Sequence, residues 1–425
     1  MIQPRTSPLN VSFIITSLPV GGAETLLVNL VRGLDKSLVQ PQVLCLKEAG
    51  ELGKQVASEV PLQSRMLGGK FDVRILSRLV SAFRKQQTDA VITVGAGDKM
   101  FWGRLAAKFA KVPVICSALH STGWPDGVSK LNRMLTGITD GFIACAYNHA
   151  RHMVENEGFP KSKVFMIPNG VDTVRFQPDA GQRSRLRSEL NLPEDTKLIG
   201  IVAALREEKN HSQLVLAARD VLREHRNTHF LLVGDGPMRS SIENCIGENG
   251  LAAHFHLMGS RSDTHLILPA LDAFVLTSKN EANPVSILEA LACGIPVAAP
   301  RVGSIHETVI HEKTGLLTTP LDPFSTADAL SQLLDNAAWS RRLGENGRSE
   351  VEQFWSLDAM VGGYEKLLTM LFNSKAASNG LPEWRGAKNP EAAEPTFQQN
   401  LAEPPLKALT DGVFQVFQPQ PTQVS

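Results

Sequence analysis

The sequence has no surplus of charge of either sign, since Lys plus Arg and Asp plus Glu number 43 each. That balance excludes a global electrostatic attraction to nucleic acid or to an acidic partner. Cysteine is scarce: Cys45, Cys116, Cys145, Cys245 and Cys293 sit mostly in apolar runs, without close pairs or ligand spacing. Such thiols are expected to be free, as in a reducing cytoplasm. Neither an Asp-x-Asp pair nor a His/Cys cluster of ligand spacing occurs, so metal-independent chemistry without a cofactor is expected. No apolar run is long enough to cross a bilayer, and the first ten residues carry Pro4 and Pro8 without the apolar core of a secretory signal. A cytoplasmic chain, soluble or peripheral at the inner face of a membrane, is the expectation. Repeats of solenoid period are also missing. The run 95–100, GAGDKM, lacks the G-x-G-x-x-G spacing of a dinucleotide fingerprint, and Asp98 reads as the N-cap of a helix over 99–110.

What is present is a chain of 425 residues, 43% hydrophobic and 20% charged, a size that one hydrophobic core rarely organises. Short runs rich in Val and Ile alternate with longer amphipathic stretches, the sequence form of βαβ units around a buried parallel sheet. Strands are expected at 11–17, 42–46, 90–94, 112–116, 141–145 and 164–167, then at 197–204, 229–233, 255–258, 272–276 and 296–299. The helix expected over 73–86 places Val73, Leu76, Leu79, Val80 and Phe83 on one stripe. Two doubly wound domains follow, over 1–172 and 173–354. A polar, Arg-rich link over 172–193 and a helix over 355–372 complete the folded chain.

From 373 to 425 the composition shifts to Pro, Gln, Ala, Glu and Asn. Too few aliphatics remain to offset about 1–2 kcal/mol of backbone entropy per ordered residue, and a disordered tail is expected, with 412–417 as a segment able to dock. Between Arg65 and Ile115 ten Lys or Arg face three Asp and no Glu, a formal +7. The stretch reads either as solvated helix faces or as a surface for anionic lipid.

The most informative segment is 276–300, LTSKNEANPVSILEALACGIPVAAP. An apolar strand gives way to a polar loop holding Glu281. Asn283 and Pro284 then offer an N-cap and a first-turn proline, and Gly294 with Pro296 closes the helix. The free amides of Val285 and Ser286 form an anion site suited to a diphosphate. Glu281 and Glu289 read either as solvated carboxylates or as groups that address sugar and ribose hydroxyls.

Two glutamates at this spacing, followed by ALACGIPVAAP, resemble the signature of family 4 retaining glycosyltransferases, and the likeness extends over roughly 11–371. It implies a GT-B fold, two Rossmann-like α/β domains facing across a cleft. It also implies transfer of a sugar, most often from a UDP-sugar, to a hydroxyl of a glycan or lipid-linked acceptor. The resemblance sets Glu281 by the donor sugar and Glu289 on the nucleotide ribose. IVAALREEKN, 201–210, is similar to the family's GRLxxEKG segment: Lys209 matches, Ala204 stands at the usual Arg position, and Arg206 is expected to reach the diphosphate instead.

Gly21 and Gly22 match the family's GGAE loop, and His120 its sugar-side histidine. Gly234, Asp235 and Gly236 with Arg261 resemble the loops around the base, although both loops also read as ordinary βα turns. Gly303 and Glu307 fit the sugar-side loop, with Ser304 where a second glycine is common. Ala282 and Asn283 replace the family's usual glycine and aromatic. A nucleotide-sugar epimerase of the same fold and a non-catalytic nucleotide-sugar-binding protein are the rival functions. Products formed without acceptor distinguish the first, and binding without turnover the second.

Overall fold

The Val- and Ile-rich runs do become buried parallel strands. A computed structural model describes residues 5–69, 72–120, 129–379, 383–384 and 414–415. The chain divides into two units, Met1–Asn169 with Leu357–Ser425, and Gly170–Ser356.

The first unit is built on β1 (Leu9–Ile15), β2 (Val39–Cys45), β3 (Leu62–Gln63), β4 (Ala90–Val94), β5 (Val114–Ala118), β6 (Gly141–Ala144) and β7 (Val164–Met166), which lie in the order β7-β6-β5-β4-β1-β2-β3. All of these pairings are parallel. The order reverses between β1 and β4, so the loops after those two strands open at the point where such sheets bind ligands.

Helix Gly22–Gly33 buries Leu26, Leu27, Leu30 and Val31. Helix Leu357–Asn379 packs on it and buries Met360, Tyr364, Leu367, Leu368 and Phe372. Burying each such side chain stabilises the unit by about 1.5–3 kcal/mol.

Several expectations are corrected here. Helix Ile75–Lys85 starts later than its apolar stripe suggests, and Val73, outside it, is 69% exposed. Asp98 is the first residue of helix Asp98–Ala110, and Gly97 is the N-cap. The order of the chain also continues past 373: Asn373 exchanges two hydrogen bonds with the backbone of Trp384, whose buried indole donates to Ser7 O at 3.0 Å. Trp384 is the apolar anchor that the polar composition around it hides. A short strand, β14 (Phe414–Gln415), pairs antiparallel with β7 inside the segment expected to dock. The other tail residues, 380–382, 385–413 and 416–425, lie outside the described residues.

The basic stretch is not one surface. Arg104 is fully buried and donates to Met100 O, Thr139 Oγ1 and both oxygens of Asn132, with burial pushing its guanidinium down to about 9. Arg65 pairs with Glu48, and Arg74 and Arg78 with Asp72. Arg84, Lys85, Lys108 and Lys111 remain exposed near the ends of two packed helices, beside Phe109, which is 56% exposed.

The second unit holds β8 (Lys197–Val202), β9 (Thr228–Val233), β10 (Phe255–Gly259), β11 (Ala273–Val275), β12 (Val297–Pro300) and β13 (Gly315–Thr318), all parallel in the order β10-β9-β8-β11-β12-β13. β3 and β13 were not foreseen from the sequence. The reversal falls between β8 and β11.

A buried ionic network ties the base of this sheet. The Arg187 guanidinium, 1% exposed, donates to Thr196 O, Ala270 O and Asp272, and Asp272 also accepts from Arg183 and the Leu198 amide. Asp272→Ala strands the Arg187 charge in the interior. It is expected to lower unit stability by about 3–5 kcal/mol in urea unfolding, and a loss below about 1 kcal/mol would contradict the role given to this network.

Candidate functional site

The switch point of the second unit collects the chemistry. The loop after β8 carries Arg206 and then a short 3-10 turn, Glu207–Lys209. The loop after β11 carries Ser278 and Glu281, and the loop after β12 carries Gly303 and Ser304. Three neighbouring strands therefore deliver their carboxyl-end loops to one place.

Lys209 Nζ donates to Glu281 Oε1 at 2.5 Å, and Ser278 Oγ donates to the same oxygen at 2.7 Å. Glu281 is 9% exposed and Ser278 1%, so this is a desolvated carboxylate with two donors, not a solvated loop residue. The two loops are stitched by Thr277 Oγ1 to Lys209 O (3.1 Å) and by the Lys279 amide to Glu208 O (2.8 Å). Gly303 lies against the Glu281 carbonyl with φ +51°, a left-handed conformation in which an added Cβ would collide with that oxygen. The Ser304 amide donates to the same carbonyl at 3.3 Å.

Arg206 has a guanidinium 64% exposed, with Glu208 at 4.0 Å as its ion-pair contact. An exposed fork next to an ammonium held by Glu281 suits an incoming diphosphate. The loop 234–238 is bonded to the segment just before Arg206: Leu205 N donates to Asp235 O (3.0 Å) and Met238 N to Leu205 O (2.9 Å). Gly234, Asp235 and Gly236 are thus brought to the β8 loop.

Helix Val285–Ala292 begins beside Glu281, with Pro284 as its N-cap. Asn283 lies one residue outside, a correction to the expected N-cap, and its side chain is buried. The Pro284 carbonyl accepts from Ile287, and the amides of Val285 and Ser286 precede this first helical donor, as first-turn amides do. The C-terminal end follows its sequence signal. Gly294 has φ +73°, with Gly294 N to Leu291 O and Ile295 N to Ala290 O forming a Schellman closure.

Glu289 sits on this helix with its carboxyl raised to about 7 by burial, an effect that the nearby positive Arg175 opposes. A desolvated acceptor of that kind suits ligand hydroxyls.

Arg261 is taken up elsewhere. Its guanidinium forks onto Asp263 at 2.8 and 2.7 Å and reaches Glu189 at 2.9 Å, and these two carboxylates raise its pKa. With two anions on one cation it fixes its own loop.

Sequence reasoning missed His211, the residue after Asn210 at the start of helix His211–Glu224. It is buried, both ring nitrogens are without hydrogen-bond partners, and burial beside Lys209 lowers its pKa to about 4. Only its adjacency to Lys209 signalled it.

In the first unit, Gly21 is the N-cap of helix Gly22–Gly33 in extended conformation. His120 follows β5 and shares a small buried cavity with Phe13, Leu26, Val94, Met360 and Tyr364. Burial lowers its pKa to about 4 against a hydrogen bond with Asn169, so at neutral pH it is an uncharged imidazole. Among the described residues no group of three or more His, Cys, Asp or Glu is placed to hold a metal ion, and no helix is long and apolar enough to cross a membrane.

A doubly wound unit with a cation, a buried carboxylate and helix amides at its switch point has the donors to hold an anion. The sequence profile described as Glycosyltransferase Family 4 matches residues 20–175, and that described as Glycosyl transferases group 1 matches residues 182–350. The chain belongs to the group 1 glycosyltransferases of family 4 and has their GT-B fold.

It is 27% identical over 309 residues to the Escherichia coli UDP-Gal:alpha-D-GlcNAc-diphosphoundecaprenol alpha-1,3-galactosyltransferase, covering 69% of this chain and 80% of that protein. It is 30% identical over 260 residues to the 2-deoxystreptamine glucosyltransferase of Streptomyces kanamyceticus, covering 57% and 67%. Among solved structures it is similar in fold to Anabaena HepE in complex with UDP-glucose, with TM-score 0.76, 20% identity, and coverage of 85% of this chain and 100% of that one.

Proposed function

We propose that this glycosyltransferase moves a sugar from a nucleoside diphosphate sugar, with UDP as the carrier, to a hydroxyl of a glycan or lipid-linked glycan of the cell envelope. In this reading it retains the anomeric configuration and uses no metal. The observation that carries the reading is the pairing of half-buried Lys209 with buried Glu281 at the β8/β11 switch point, next to the first-turn amides of Val285 and Ser286. A relative whose name specifies a UDP-sugar and a diphosphoundecaprenol-linked acceptor supports the substrate classes.

In this reading the diphosphate meets Arg206, Lys209 and the helix amides, which hold the charge that grows as the sugar leaves. Glu281 positions a sugar hydroxyl and Glu289 the ribose. Within the first unit, neutral His120 offers one hydrogen bond to a hydroxyl, and Gly21 and Gly22 leave a backbone that a ligand can approach closely.

The bond from the anomeric carbon to the β-phosphate oxygen breaks. A bond from the acceptor oxygen to the same carbon forms on the same face, and the acceptor proton passes to the departing phosphate. Glu281, held by Lys209 and Ser278, serves as a positioning acceptor in this scheme rather than as a nucleophile. Peripheral attachment to anionic lipid fits the exposed cluster of Arg84, Lys85, Lys108, Lys111 and Phe109.

The test is a panel of UDP-, GDP- and ADP-sugars with a polyprenyl-diphosphate-sugar acceptor in the presence of EDTA, with the product anomer assigned by NMR. An α-linked product from an α-linked UDP donor is expected. An inverted product, or activity abolished by EDTA, overturns the mechanism. Conversion of the sugar without acceptor points to the epimerase, and donor binding with no product points to a binding protein.

A further inference from the structure

The edge of the second unit's sheet gathers three histidines that the sugar-transfer chemistry does not use. Phe255 on β10 is in register with Phe230 on β9, and their rings stack at 4.9 Å on one face of the sheet. Side chains alternate along a strand, so His254 and His256, which flank Phe255, and His229, which precedes Phe230, share the opposite face. The ring centroids of His254 and His256 each lie 5.1 Å from that of His229, and the His229 and His256 rings are stacked. All three side chains are half-buried rather than sealed in the core.

The ring nitrogens converge. His229 Nδ1 and His256 Nε2 are 2.9 Å apart, a separation at which one shared proton links them. Two imidazole nitrogens bound to one divalent ion at about 2.0–2.1 Å stand only slightly farther apart than this, so an ion can replace the proton with little backbone movement. His254 is already oriented as a metal-site histidine would be. Its Nδ1 donates to the Thr228 carbonyl at 2.9 Å, which holds the ring in place beside His229.

We propose that His229 Nδ1 and His256 Nε2 chelate a divalent transition metal ion at the β9/β10 edge, with His254 the adjacent histidine that shapes the site. No third ligand is already in place among the described residues, so water fills the remaining positions. An imidazole site of this kind selects Cu2+, Zn2+ or Ni2+ over Mg2+ or Ca2+, which prefer oxygen ligands. The ion would clip edge strand β10 to β9 and lies outside the Lys209–Glu281 chemistry, so this inference stands independently of the proposed reaction.

The experiment uses the untagged full chain. Titration with ZnCl2 by calorimetry is expected to give one equivalent bound and a rise in Tm that grows with free zinc, while MgCl2 gives neither. With one equivalent of Cu2+, electron paramagnetic resonance is expected to carry hyperfine coupling from two imidazole nitrogens.

His229→Phe and His256→Phe, which keep an aromatic ring in each position, should each remove the bound equivalent. His254→Ala, which removes a neighbour that is not a ligand, should leave the bound equivalent in place. Melting in EDTA checks that each variant is folded; if one fails, Asn at the same position replaces it. The proposal is overturned if wild-type protein binds no zinc. It is equally overturned if the bound equivalent survives unchanged in both the His229 and His256 variants.

Discussion

Replacing Lys209 with Ala is expected to lower kcat/KM by about 100- to 1,000-fold, the usual effect of deleting a positioned donor at a developing oxyanion. The structure adds a second consequence. Lys209 is the ionic partner of Glu281, whose remaining donor is Ser278, so the substitution also leaves a carboxylate of 9% exposure without a cation. A stability loss of about 1–3 kcal/mol should accompany the loss of turnover.

The two effects separate in the double variant Lys209→Met with Glu281→Gln, which removes both charges together. Its melting temperature should recover towards wild type while its turnover stays low. Steady-state kinetics beside thermal melts make the measurement. Wild-type kcat/KM in Lys209→Ala would remove this residue from the site.

Glu289→Gln is expected to make the ligand-free protein more stable and the enzyme worse. Its carboxyl is raised from the ordinary 4.5 to about 7 by burial, so the folded chain holds that proton more tightly than the unfolded chain. For such an acid, stability falls as pH rises from about 4.5 to 7 and stays low above. The Gln variant escapes that loss and should gain about 2–3 kcal/mol at pH 8.

Donor binding moves the other way, because the ionised carboxylate is the better acceptor for ribose hydroxyls. Wild-type donor KM should rise as pH falls below 7. The Gln variant should show a KM at least about 10-fold higher with that pH dependence flattened. Equal KM values and equal pH slopes for the two proteins would sink the assignment of Glu289 to the ligand.

The parts of this molecule that sequence made legible are those written in local pattern. Helix Val285–Ala292 announced both ends, because a proline in its first turn and a glycine past its last are backbone requirements of neighbouring residues. Most parallel strands announced themselves by continuous apolar runs. What stayed hidden depends on partners distant in sequence.

Ser278 reads as a loop serine until Glu281 is seen to accept from it, and Arg104 reads as surface charge until Asn132 and Thr139 surround it. Arg261 likewise meets Glu189, which comes from another element. β13, only Gly315–Thr318, is too short to show a period, and its place comes from pairing with β12. The histidines at 229, 254 and 256 have no ligand spacing along the chain, and only the register of two strands puts them on one face.

The division of the chain also bears on how it is made. The second unit, Gly170–Ser356, is one continuous stretch, whereas the first needs helix Leu357–Asn379 to cover the face of Gly22–Gly33. On the ribosome the segment made first therefore waits for the segment made late. The middle of the protein can fold while Leu26, Leu27 and Leu30 still lack their cover, leaving an apolar seam open to chaperones or to aggregation until Met360 and Tyr364 emerge.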